Sequence, residues 1–151
     1  VAVGEGLRMW AVRHIGVISR TRSGRTGPLV DSGPFHLVRN PLYIGNVAIW
    51  LGFTLAAGLL WLAPVVLLVL AFEYHAIVRW EETLLDGRMG AEYRTYLGDV
   101  PRWIPSWDRL GQAFSSSASY PWGATFFSER GTLIAIVAGA LLLTAKAFLL
   151  S

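Results

Sequence analysis

The sequence predicts an all-α, polytopic transmembrane protein built around a helical hairpin. Three observations carry that prediction. Charged residues make up 15% of the 151-residue chain, where a soluble domain carries about 25%. No charge falls in the run 42–72, which at about 31 residues exceeds the ~20 that one membrane-crossing helix needs. A second apolar run, 131–150, carries a single charge, Lys146, near its end, where the long side chain can reach water.

Composition narrows the class further. The chain has no cysteine, which removes disulfide frameworks, zinc–thiolate sites and thiol nucleophiles. Seven Trp and five Tyr suit membrane interfaces, where an amphipathic ring keeps one edge wet. The net charge of +3 comes mostly from arginines in loops beside apolar runs. It therefore points to anionic headgroups rather than nucleic acid.

The elements follow in order. Leu7, Trp10, Ala11, His14, Ile15 and Ile18 recur at helical spacing, with Arg8, Arg13 and Arg20 elsewhere on the turn. This predicts an amphipathic helix or the cytosolic end of a longer membrane helix. The chain starts at Val1 and reads as a fragment whose upstream residues are absent. A basic, glycine-punctuated loop occupies 19–28. The apolar run splits at Gly58, with Pro64 following, into helices expected at 41–57 and 60–85. At 1.5 Å per residue these rise ~24 and ~38 Å. Eleven of the thirteen basic residues lie on the two flanks of the hairpin and none at its tip. The positive-inside rule then puts both flanks in the cytoplasm and the tip outside.

The remaining chain divides by composition. Gly87, Gly90, Gly98, Pro101 and Pro105 break the stretch after Glu82 into short pieces. The domain expectation is a membrane domain over 1–106, a linker or interfacial segment over 107–130, and an additional transmembrane helix over 131–151.

Two constellations carry chemistry. Arg39-Asn40-Pro41 stands at the start of the hairpin, with Pro41 suited to the first helical turn and Asn40 to the cap. Such a corner serves as an interfacial anchor or as an anion site for a carboxylate or phosphate. Glu81-Glu82 stands at the other end of the hairpin, near a helix C-terminus, where carboxylates are unfavourable without a cation. Arg39 or a bound cationic ligand would satisfy them. Glu73, with Tyr74 and His75 beside it, is an ionisable group inside a span and so a functional candidate. His14, His36 and His75 lack metal-ligand spacing, so no metal is expected. Signatures such as GxSxG, HExxH, a P-loop or GxGxxG are absent.

Taken together, these motifs resemble the isoprenylcysteine carboxyl methyltransferases and their phospholipid-methyltransferase relatives. The residues that carry the resemblance are Gly27-Pro28-Leu29-Val30 and Gly33-Pro34-Phe35, then Arg39-Asn40-Pro41-Leu42-Tyr43-Ile44-Gly45. Glu81-Glu82-Thr83-Leu84, Tyr93, Tyr96 and Val100-Pro101-Arg102-Trp103-Ile104-Pro105 follow in order, so the match covers 27–105. Three positions depart from the family pattern: Gly27 and Asn40 stand where it has His, and Phe35 where it has Tyr.

The resemblance implies an integral-membrane enzyme with a cytosolic pocket for S-adenosylmethionine. Leu29, Val30, Phe35, Asn40, Pro41, Leu42, Tyr43 and Glu81 would bind the cofactor. Arg39, Glu81 and Glu82 would be the catalytic group. The partners implied are the bilayer and a lipid or isoprenoid acceptor, a carboxylate foremost. An amine acceptor would need Glu81 or Glu82 as base. Two other readings stand beside this one: a sterol-reductase-like enzyme using NADPH, and a non-catalytic membrane scaffold.

Overall fold

The computed structural model describes residues 1–16 and 29–150. The basic loop 19–28, and with it Gly27, lies outside the described residues. Among the described residues the protein is all helical: α1 (Ala2–Ile15), α2 (Pro41–Ala56), α3 (Ala63–Met89), α4 (Ala91–Asp99), α5 (Leu110–Ser115) and α6 (Trp122–Leu150). Short 3-10 turns at Gly33–His36, Leu60–Leu62 and Trp107–Arg109 join them.

The hairpin is α2 and α3. Its turn is made by Gly58 at φ +74, a left-handed conformation that glycine adopts without a Cβ penalty. The 3-10 turn then leads into α3, with Pro64 in its first turn, where a missing N–H costs nothing. Among the described residues, two stretches are long and apolar enough to cross a membrane, Leu60–Met89 and Trp122–Leu149. Helix α2 is apolar but shorter, at 16 residues.

Helix α1 runs antiparallel to α2 and nearly touches its backbone. A Cβ on Gly4 would lie 2.6 Å from the Gly45 carbonyl oxygen, and one on Gly45 would lie 2.7 Å from the Gly4 oxygen. Small residues permit this close packing between helices in lipid. The buried stripe of α1 contains Gly4, Glu5, Arg8, Ala11, Val12 and His14. That corrects the amphipathic expectation, because Arg8 faces inward. Its guanidinium bonds Glu129 of α6 at 2.6 Å and Asn46 of α2 at 2.5 Å, so pairing offsets its burial.

Helix α6 begins at Trp122, nine residues before the expected start at Gly131. Its first turns hold the Glu129 ion pair, and Lys146 donates to the Ala57 carbonyl at the hairpin tip, 3.0 Å away. Tyr120 N–H donates to the Arg13 carbonyl, and the Arg13 guanidinium lies 4.2 Å over the Trp122 ring. The helix is thus tied at both ends to the hairpin bundle. Between α2 and α3 an open groove of about 420 Å³ is lined by Trp50, Val65, Val69, Leu70, Glu73 and Tyr74.

Candidate functional site

The segment 33–40 and the segment 96–106 cross at the base of the hairpin, laced together by four hydrogen bonds. Tyr96 Oη donates to the Phe35 carbonyl at 3.0 Å, and Asn40 Nδ2 to the Arg102 carbonyl at 3.1 Å. The backbone N–H of Arg39 donates to Pro101 and that of Ser106 to Leu37, both at 2.9 Å. Asn40 occupies the cap position of α2 as expected, but its side chain makes no cap bond. Its amide is spent on the crossing strand instead.

This lacing brings the charges of three segments together. Glu82 accepts from Arg39 at 2.8 Å and from both Nε and a terminal nitrogen of Arg102, at 2.9 and 2.6 Å. The planar two-bond fork onto Glu82 thus comes from Arg102, while Arg39 gives that carboxylate a single bond. Among the described residues, the buried Arg39 Nε has no hydrogen-bond partner.

Glu81 points elsewhere. Tyr43 Oη donates to its Oε1 at 2.9 Å. Among the described residues its second oxygen has no hydrogen-bond partner. The Tyr43 ring stacks on Tyr74 of α3 at 4.7 Å between centroids. The two adjacent glutamates thus differ in kind: Glu82 is saturated by guanidiniums, whereas Glu81 retains acceptor capacity.

Helix α4 closes the cluster. Tyr93, Tyr96 and Val100 form a buried core against Leu29, Leu85, Met89 and Leu97. Burial pushes the Tyr93 phenol up to about 12; Glu82 and Glu81 add to the rise, and Arg39 and Arg102 oppose it. The phenol therefore stays neutral beside the ion cluster at physiological pH. Burial likewise raises Tyr96, which keeps its proton on the bond to Phe35.

The expected site residues are thus placed as follows. Arg39 meets Glu82, and Tyr43 meets Glu81. Leu29 packs on the Tyr93 cluster, and Val30 is half-buried beside it in sequence. Phe35 is buried and offers its carbonyl to Tyr96. Pro41 is buried and Leu42 half-buried in the first turn of α2. Glu73 stands on the wall of the open groove, and His75 is exposed. Arg102 received no role from sequence reasoning. The signal for it was a second cation within the Val100–Pro105 element, matching a carboxylate pair about twenty residues away.

The fold and this cluster define a helical membrane protein with a polar site at the base of a transmembrane hairpin. The chain belongs to the phospholipid methyltransferase family, whose model matches residues 1–92. It is also similar to the nickel-cobalt-cadmium resistance protein NccN of Alcaligenes xylosoxydans xylosoxydans, 32% identical over 114 residues, covering 75% of this chain and 48% of that protein. The cobalt-zinc-cadmium resistance protein CzcN of Cupriavidus metallidurans is 32% identical over 99 residues, covering 65% of this chain and 42% of that protein. The chain spans less than half the length of these curated relatives. No solved structure matches it. Among the described residues, no group of three His, Cys, Asp or Glu side chains is placed to hold a metal ion.

Proposed function

We propose that the protein is an integral-membrane, S-adenosylmethionine-dependent methyltransferase acting on a lipidic or isoprenoid acceptor, foremost a carboxylate. The observation that supports this reading is the open carboxylate of Glu81, held by Tyr43 next to the Arg39–Glu82–Arg102 cluster. The residues fit the donor's chemistry. S-adenosylmethionine supplies an electrophilic methyl group and carries both cationic and carboxylate ends.

Glu81 would hold the cationic end, and the unpaired Nε of Arg39 would face a carboxylate. Leu29, Val30 and Phe35 would shelter the adenine, with Asn40, Pro41, Leu42 and Tyr43 forming the adjoining wall. Glu82 would fix Arg39 rather than touch the donor. Methyl transfer needs in-line proximity and exclusion of water more than a proton relay. A carboxylate acceptor is already ionised at neutral pH and needs no base. By the distribution of arginines the site would face the cytoplasm.

The test is methyl transfer by the protein in lipid nanodiscs, given methyl-labelled S-adenosylmethionine and a total membrane lipid extract. The expected result is label in an organic-phase product, released by mild base if the product is a methyl ester. Cofactor binding without turnover would favour the scaffold reading. Binding of NADPH in place of S-adenosylmethionine would favour the reductase.

A second reading draws on the names of the two relatives, under which the transfer serves tolerance of nickel, cobalt, zinc or cadmium. Growth of a deletion strain on graded cadmium tests it, and growth equal to the parent removes it.

A further inference from the structure

We infer that the C-terminal helix α6, beyond the family match, sets the geometry of the Glu81–Tyr43 pair through Arg8 and Asn46, making Glu129 a positioning residue for the site. The inference rests on the proposed role of Glu81, but the coupling itself is a property of the fold.

The path is continuous. Glu129 is fully buried and its Oε2 accepts from one terminal nitrogen of Arg8 at 2.6 Å. The same nitrogen reaches Thr132 Oγ1 at 3.4 Å, so α6 grips Arg8 from two successive turns. The other terminal nitrogen of Arg8 donates to Asn46 Oδ1. Asn46 lies three residues after Tyr43 on α2, on the same side of the helix. Asn46 and Arg8 both act electrostatically on the Tyr74 hydroxyl. The Tyr74 ring is stacked on Tyr43, and Tyr43 Oη holds Glu81. Four helices thus contribute consecutive links between Glu129 and Glu81.

The bonds that Arg8 makes are directional. A guanidinium is planar and offers its N–H groups at fixed angles. With one edge held by Glu129 and Thr132, the other edge presents a donor to Asn46 in one orientation. Glutamine at position 129 keeps the shape but removes the nearer of the two carboxylates beside the guanidinium, leaving Glu5 at 3.5 Å from its Nε. Asn46 then loses its fixed donor, Tyr74 its fixed neighbour, and the Tyr43 ring its fixed stacking partner. Lys146 provides the comparison: it also ties α6 to the hairpin, but at the far end and off this path.

The experiment reads Glu81 directly, without methyl transfer. The protein in nanodiscs is treated with a hydrophobic carbodiimide at fixed pH, and the rate of Glu81 modification is followed by peptide mass spectrometry. Glu129→Gln is expected to change that rate at least about threefold, with Glu129→Asp restoring much of it and Lys146→Met matching wild type. Asn46→Leu cuts the path without touching the ion pair and should reproduce the Glu129→Gln change; it decides the matter alone if Glu129→Gln does not insert. A wild-type rate in Glu129→Gln or Asn46→Leu, or an equal change in Lys146→Met, overturns the inference. Absence of methyl transfer by wild type would count against the proposed function and leave this readout intact.

Discussion

The Arg102 guanidinium lies fork-on to Glu82, its Nε on one carboxylate oxygen at 2.9 Å and a terminal nitrogen on the other at 2.6 Å. With Arg39 on the same carboxylate, Glu82 joins α3 to both crossing segments at the base of the hairpin. Glu81, one residue earlier, has Tyr43 as its partner. Under the proposed function, that asymmetry assigns Glu82 to stability and Glu81 to donor binding.

Glu82→Gln should therefore act on stability. It leaves two guanidiniums against a neutral amide, and breaking a largely buried ion pair costs about 3–5 kcal/mol. Thermal unfolding in detergent should shift down sharply for Glu82→Gln and little for Glu81→Gln. Equal shifts would contradict the division.

Glu81→Gln should act on donor affinity. Loss of one charge-assisted hydrogen bond costs about 1.5–3 kcal/mol. Calorimetric titration with S-adenosylmethionine should show that loss for Glu81→Gln, and a smaller one in the same direction for Tyr43→Phe. Wild-type affinity in Glu81→Gln would remove Glu81 from the site.

Arg39→Lys keeps a positive charge that can reach Glu82 but deletes the buried, unpaired Nε. If that nitrogen serves a carboxylate of donor or acceptor, methyl transfer falls about tenfold, or ~1.4 kcal/mol, with insertion unchanged. The exposed Arg88→Lys on α3 is the control. Full activity in both variants would leave Arg39 as a clamp on Glu82.

The hairpin was legible because its signals are local: an uncharged run too long for one helix, and a glycine near its middle. The Glu81–Tyr43 and Arg39–Glu82 pairs were half legible. The residues stood out by type, but nothing in the sequence says which glutamate faces which partner across a 38- or 43-residue separation. The Arg8–Glu129 pair spans 121 residues, and Arg8 looked like part of a polar face because helical spacing alone cannot say which face a bundle buries. The early start of α6 is hidden in the sequence by Glu129 and Arg130, two charges directly before the apolar run 131–150. In the structure Glu129 is covered by Arg8, so the charge does not stop the helix.

Alkaline pH gives a further test. An unfolded tyrosine ionises near pH 10, whereas Tyr93 in the folded protein holds its proton to about 12. Between these values the folded state binds more protons than the unfolded one. Stability is therefore expected to fall as pH rises through that interval and to be insensitive to this group below it. Tyr93→Phe should flatten the decline in unfolding temperature between pH 10 and 12. An unchanged slope would contradict the burial of this phenol.

Topology can be probed without background, since the chain has no native cysteine. Cysteines placed at Gly58 and at Asp99 should react from opposite sides in intact cells, Gly58 from outside and Asp99 from within. Thr26, expected on the inner side, is a further probe position outside the described residues. A protected Gly58 with a reactive Asp99 would invert the orientation.

Lys146 holds the tip of the hairpin, at Ala57, to the far end of α6. Helix α2 has 16 residues and rises ~24 Å, several ångströms less than the ~30 Å hydrocarbon core of an average bilayer. A helix this short, set across a bilayer, is accommodated by local compression of the lipid at a modest cost per ångström. Acyl-chain length is therefore a variable to which the hairpin is expected to respond.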